Sequence, residues 1–180
     1  GTTILLVCST SSLSAYVLAR KKIASWKSWT FYLLATTTAP IQLYIFPLYF
    51  GFAKLGLINN VFGVALIYTT LYSPFAVMLL RTYFIAVPKE LEEAAVIDGC
   101  NSWQVLLRIF IPAVRAGIVT VVMFAFIASW NEFIGALIFM SKETQFTVPI
   151  MLLSLLPGHF GAVAWGSLQP GVTLALLACL

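Results

Sequence analysis

Apolar residues run along this chain in long, nearly unbroken stretches, not in the alternation of a half-buried strand. Five stand out, at residues 1–19, 30–50, 62–84, 116–140 and 162–180. At ~1.5 Å per residue, each is long enough for ~30 Å of hydrocarbon. The pattern therefore predicts an all-α, polytopic helical membrane protein with about five transmembrane helices. Prolines fall inside several stretches: Pro40 and Pro47 in the second, Pro74 in the third and Pro170 in the fifth. Each removes a backbone donor and crowds the preceding turn, so kinked or broken helices are expected. Residues 147–156 are too short to span and too apolar for an ordinary loop. They predict a re-entrant or interfacial helix ended by Pro157 and Gly158.

Composition agrees with this pattern. The 180 residues are 61% hydrophobic and 9% charged, with a mean hydropathy of +1.00. A soluble surface needs about 25% charged residues. Five crossings place Arg20, Lys21, Lys22, Lys27, Arg81, Lys89, Arg108 and Arg115 on one side or its boundary, and only Lys54 and Lys142 on the other. That asymmetry makes the first group cytoplasmic and the N-terminus external. No basic run has the aromatic interleaving of a nucleic-acid surface. Cys8, Cys100 and Cys179 form no CxxC pair, and Cys8 and Cys179 lie in apolar runs, where a free cysteine packs as a small hydrophobe. The chain starts without Met and ends within an apolar run, so it reads as a segment of a longer protein.

The third and fourth stretches are separated by a polar interruption, residues 85–115. Pro88 suits a first helical position, and Glu90, Glu92 and Glu93 complement the positive end of a helix. Leu91, Ala94 and Ala95 would share a face, and Gly99 is a natural stop. A second short helix starts at a capping-box pair, Asn101 and Gln104. Its predicted stripe is Trp103, Leu106, Leu107 and Phe110, and Pro112 ends it or bends it into the next span. Two alanines on an apolar face let a partner approach closely, which suits either docking or internal packing. Composition leaves those readings level.

The spacing Glu93-Ala94-Ala95, three residues, Gly99, nine residues, Ile109, one residue, Ile111-Pro112 resembles the EAA loop of ABC importer permeases. The family pattern has Leu where Ile111 stands and a small residue where Cys100 stands, both mild departures; Asp98 also fits. The resemblance implies that residues 93–99 form a coupling helix seated in a groove of a cytoplasmic ATPase dimer. By the same resemblance, Glu93, Ala94, Ala95, Asp98, Gly99, Ile109 and Pro112 belong to the docking element. The residue-level alternative is that they only cap and turn the loop. Residues 52–59, 79–84 and 129–133 also resemble the MalG-like carbohydrate permeases. That likeness implies a six-helix permease fold of which this chain is a truncated part, in a bacterial or archaeal inner membrane. The implied partners are a second permease subunit in a heterodimer, an extracytoplasmic solute-binding protein, and a sugar substrate within membrane lipid. Import of another solute (glycerol phosphate, an amino acid, a peptide) and a secondary transporter are the alternatives.

Glu132 lies about 24 Å along the fourth stretch at ~1.5 Å per residue. A carboxylate there faces a bundle interior or a water-filled cavity. Trp130, Asn131, Glu132 and Phe133 are thus candidates for a translocation path, since aromatic faces suit sugar rings and amide or carboxylate groups suit hydroxyls. The alternative is a structural hydrogen bond to a neighbouring helix. There is no GxxxxGK[ST] phosphate loop, so the chain is not expected to bind ATP itself. His159 stands alone, and the loop acids have no accompanying nucleophile or base. No enzyme activity, cofactor, metal or nucleic-acid partner is expected of it.

Overall fold

The structure, a computed structural model, describes residues 1–20, 25–141, 146–154 and 165–177. Lys21, Lys22, Lys142, Pro157, Gly158, His159 and Cys179 lie outside the described residues. All regular structure among those described is helical. The chain divides into two compact units, residues 1–40 with 68–126, and residues 41–67 with 127–180.

In the first unit, α1 (Thr2–Arg20) and the long α4 (Val61–Ala86) are each long and apolar enough to cross a membrane alone. They close on one core that includes Val7, Tyr16, Leu80, Phe84 and Phe110. Near the middle of both helices, the Thr10 and Ser73 hydroxyls meet at 3.3 Å. Later in the chain α8 (Arg115–Asn131) packs on α4 through Tyr72 and Phe75, whose rings meet Phe124 at 6.0 and 4.5 Å. Gly117 makes that approach possible: a β-carbon there would lie 2.7 Å from the Tyr83 ring. Small residues at such crossings let helices approach closely in lipid.

Two stretches predicted as single spans are broken. Residues 30–50 divide into α2 (Trp26–Thr38), a 3-10 turn at Ile41–Leu43, and α3 (Ile45–Lys54). The break falls at Ala39, whose extended backbone (ψ 115°) is what the residue before a proline prefers. Pro74, by contrast, sits inside an unbroken α4. Around Pro74, Ile67, Tyr68, Ala76 and Val77 are buried, whereas α2 buries no residue.

The stretch 116–140 breaks at Glu132–Phe133, between α8 and α9 (Ile134–Phe139). In the second unit Phe139 packs against Tyr49 and Phe52 of α3, both ring pairs at 5.8 Å. Asn59, in the left-handed region at φ 57°, donates its backbone N–H to Phe139 O (2.9 Å) and accepts from Ser141 N–H through Oδ1 (2.5 Å). The short apolar segment predicted at 147–156 forms α10 (Val148–Ser154). Within the fifth stretch, α11 (Trp165–Leu177) is a 13-residue helix with Pro170 inside it.

Candidate functional site

The interruption after α4 folds as two short helices. The first, α5 (Lys89–Ile97), starts beyond Pro88 with Glu90 and Glu92 in its first turn, where carboxylates meet unpaired backbone N–H groups. It ends in a full Schellman turn. Gly99 N–H donates to Val96 O (3.0 Å) and Cys100 N–H to Ala95 O (2.9 Å), satisfying carbonyls that the helix end would leave open. Gly99 turns the chain at φ +82°, a backbone that an L side chain strains to adopt although open space surrounds the site.

The second helix begins at Asn101 with the predicted capping box. The Asn101 carboxamide accepts from Trp103 N–H (3.1 Å) and Gln104 N–H (2.9 Å), and Gln104 Oε1 accepts from Asn101 N–H (2.9 Å). It runs through α6 (Ser102–Val105), a π-helical stretch at Leu106–Phe110, and α7 (Ile111–Ala113). The wide π-turn lies just before Pro112, which has no N–H to offer the preceding turn. At Val114 the chain bends by 79° into α8. The bend separates a helix belonging to the loop from the span that follows.

The loop's apolar faces differ from the predicted stripes. Of Leu91, Ala94 and Ala95, only Ala95 is buried; Leu91 is 48% exposed. Leu106 and Phe110 point inward as predicted, but Trp103 and Leu107 are 57% and 49% exposed while Val105 is buried. The π-turn changes the helical phase, bringing Val105, Leu106 and Phe110 to the core side. Val96 and Ile97 (85% exposed) of α5 and Trp103 of α6 remain outside. Of the motif residues, Glu93, Ala94, Asp98, Gly99 and Pro112 are exposed, Ile109 is half-buried against the core, and Ala95 is beneath.

Three cations predicted to share one side do converge. Arg20, Arg81 and Lys89 line a cleft of about 780 Å³ with Glu92, Glu93 and Trp26. Arg81 sits over the Trp26 ring at 5.3 Å, a cation–π contact. Arg20, in the last turn of α1, donates from Nη2 to Phe84 O (2.7 Å) and to Val87 O, and lies 4.7 Å from the centre of the Phe110 ring. Phe110 completes a ring cluster with Tyr16 (5.2 Å) and Phe84 (5.8 Å). In the sequence Arg20 reads only as a marker of topology. Its partners are 64 and 67 residues away, beyond any local pattern.

The other candidate group lies at the α8–α9 break. Glu132 accepts from Gly135 N–H (3.0 and 3.1 Å) and Ala136 N–H (3.3 Å), so its carboxylate caps the start of α9. Asn131 is exposed and donates Nδ2 to Ile127 O (2.9 Å), while Trp130 and Phe133 are half-buried. Cys8 and Cys100 are free thiols. Among the described residues no His, Cys, Asp and Glu group could hold a metal ion.

Residues 10–180 match the family described as the binding-protein-dependent transport system inner membrane component. The chain belongs to this family. Proteins similar to it include the diacetylchitobiose uptake system permease protein NgcG of Streptomyces coelicolor, 34% identical over 131 residues, covering 73% of this chain and 43% of that protein. The trehalose/maltose transport system permease protein MalG of Thermococcus litoralis is 29% identical over 173 residues, covering 96% and 62%. This inner membrane component thus spans 43% and 62% of the lengths of those two relatives. Its fold is that of a bacterial ABC transporter involved in the import of the acidic polysaccharide alginate, with a TM-score of 0.76, 22% identity, and coverage of 96% of this chain and 59% of that one.

Proposed function

We propose that this chain is part of the permease subunit of an ATP-driven importer for a sugar or oligosaccharide, with residues 85–115 as its coupling loop. The observation that carries this is the exposed apolar face of the loop. Ile97 and Trp103 are exposed within six residues of each other on either side of the Gly99 turn, at a polar interruption between spans that positive-inside counting assigns to the ATP side. Solvent-exposed apolar side chains in such a cluster mark a partner's seat. Glu93, Ala94, Asp98 and Gly99 form the docking surface. Ala95 supports it from beneath, and Ile109 and Pro112 set the second helix. ATP hydrolysis belongs to the docked ATPase dimer, and substrate delivery to an extracytoplasmic binding protein.

The sugar assignment is supported by relatives named for diacetylchitobiose and for trehalose/maltose uptake. A second permease subunit would complete the pathway as a heterodimer. Trp130, Asn131, Glu132 and Phe133 would line that pathway, a reading supported by the helix break at which they lie and by the exposed carboxamide of Asn131.

The test is Gly99→Asp in the full importer. A side chain at φ +82° strains the Schellman turn, so the variant should insert in the membrane, lose copurification with the ATPase and lose uptake. Normal copurification and uptake would remove the docking assignment. ATPase activity stimulated by the binding protein, measured with maltose, trehalose and diacetylchitobiose in turn, tests the cargo; stimulation by none of them counts against these sugars.

A further inference from the structure

We infer that Arg20 is a positioning residue that makes α1 move as one body with the coupling loop. The inference rests on the docking reading above. If an ATPase displaces α5, the displacement reaches α4 through Val87–Pro88 and α8 through the bend at Val114, because those connections are covalent. No such connection joins the loop to α1, which lies far away in sequence. Arg20 supplies one.

Its position is specific to an arginine. Phe84 O and Val87 O lie at the C-terminal end of α4, where carbonyls have no partner within the helix. Val87 immediately precedes Pro88, the residue at the N-cap position of α5. Arg20 therefore holds the hinge between span and coupling helix, and its guanidinium also lies over Phe110, at the end of the π-helical stretch. Nη2 makes both hydrogen bonds while the delocalised guanidinium lies over the ring, a combination that a compact, strongly hydrated ammonium reproduces poorly. The joint is set in a packed cluster: Phe84 and Phe110 are completely buried and Tyr16 nearly so.

The experiment uses the assembled importer carrying nitroxide labels at Val17 of α1 and Leu91 of α5, both exposed and neither assigned to the docking surface, in a background with its native cysteines replaced. The distance between the labels is measured without nucleotide and with ATP plus vanadate. With Arg20 intact, one narrow distribution should persist in both states, because the two elements travel together. Arg20→Lys keeps the charge and should still copurify with the ATPase, but its distribution should broaden or shift when nucleotide is added, and uptake per ATP hydrolysed should fall. A merely structural role would instead lower yield, ATP hydrolysis and uptake in proportion, with the distance unchanged. That outcome overturns the inference, as does a nucleotide-dependent distance in the unaltered chain. Should the lysine variant not assemble, Phe110→Leu, which keeps the apolar bulk and removes the ring face, decides by the same criterion. Failure of the unaltered chain to copurify with an ATPase would remove the docking reading itself, and the inference with it.

Discussion

Single residues here act through backbone geometry as much as through side-chain chemistry. Asn59 shows both. Its φ of 57° is a conformation that costs most L residues about 1–2 kcal/mol, and Asn tolerates it better than most. Its carboxamide also accepts the Ser141 N–H, so one residue turns the chain after α3 and holds the end of the α9 segment. Two substitutions separate these contributions. Asn59→Gly relieves the backbone and loses the acceptor, so it should destabilise by about 1 kcal/mol. Asn59→Ala loses the acceptor and retains the strain, and should cost about 2–3 kcal/mol. Thermal unfolding in detergent should then rank the unaltered chain above Asn59→Gly and Asn59→Ala last. Equal losses would show that the left-handed backbone contributes nothing. Glu132 illustrates the opposite case, a chemically suggestive carboxylate whose visible partners are backbone N–H groups of its own chain.

Between elements, close approach decides the architecture. The α4–α8 crossing is set by Gly117 under the Tyr83 ring, where a β-carbon would meet Cγ and Cδ2 at 2.7 Å. The base of a ring cannot swing aside as a flexible chain end can. Gly117→Ala should therefore force the helices apart and cost about 1–3 kcal/mol, read as a lower unfolding midpoint; an unchanged midpoint would show that the crossing adjusts freely. Elements governed by local chemistry were legible in the sequence. The Gly99 stop and the Asn101–Gln104 capping box are realised bond for bond, because both ends of each interaction lie within a few residues. The extents of α1 and α4 followed from unbroken apolar runs. Helix continuity through proline was not legible. Pro40 lies at a break, whereas Pro74 and Pro170 lie inside helices, although the same residue type stands at each. The phase change at Leu106–Phe110 was equally hidden, since the π-turn depends on how Val105, Leu106 and Phe110 fit the core. The motif spacing exposed the loop as a candidate site, whereas the Arg20 joint spans sequence distances that no periodicity reports.

For the molecule as a whole, charge asymmetry sets which way the chain threads the bilayer. Arg20, Arg81 and Lys89 meet at one cleft, so the bias seen along the sequence is also a local concentration of charge in space. Positive residues near the ends of spans are retained on the cytoplasmic side during insertion. By that rule α5 is expected in the cytoplasm and the turn that follows Lys54, the last residue of α3, outside. The two sites can be addressed separately, because Leu55 is 70% exposed and Ile97 is 85% exposed. In intact cells with the outer membrane permeabilised, and with the native cysteines replaced, a membrane-impermeant maleimide should label Leu55→Cys and spare Ile97→Cys until the inner membrane is broken. Labelling of Ile97→Cys in intact cells would invert the orientation and put the loop on the side without ATP. The docking surface could not then work, however well its geometry suits a partner. Orientation is therefore the condition on which the coupling-loop assignment depends, and the labelling measures it without requiring the ATPase or the transported solute to be known.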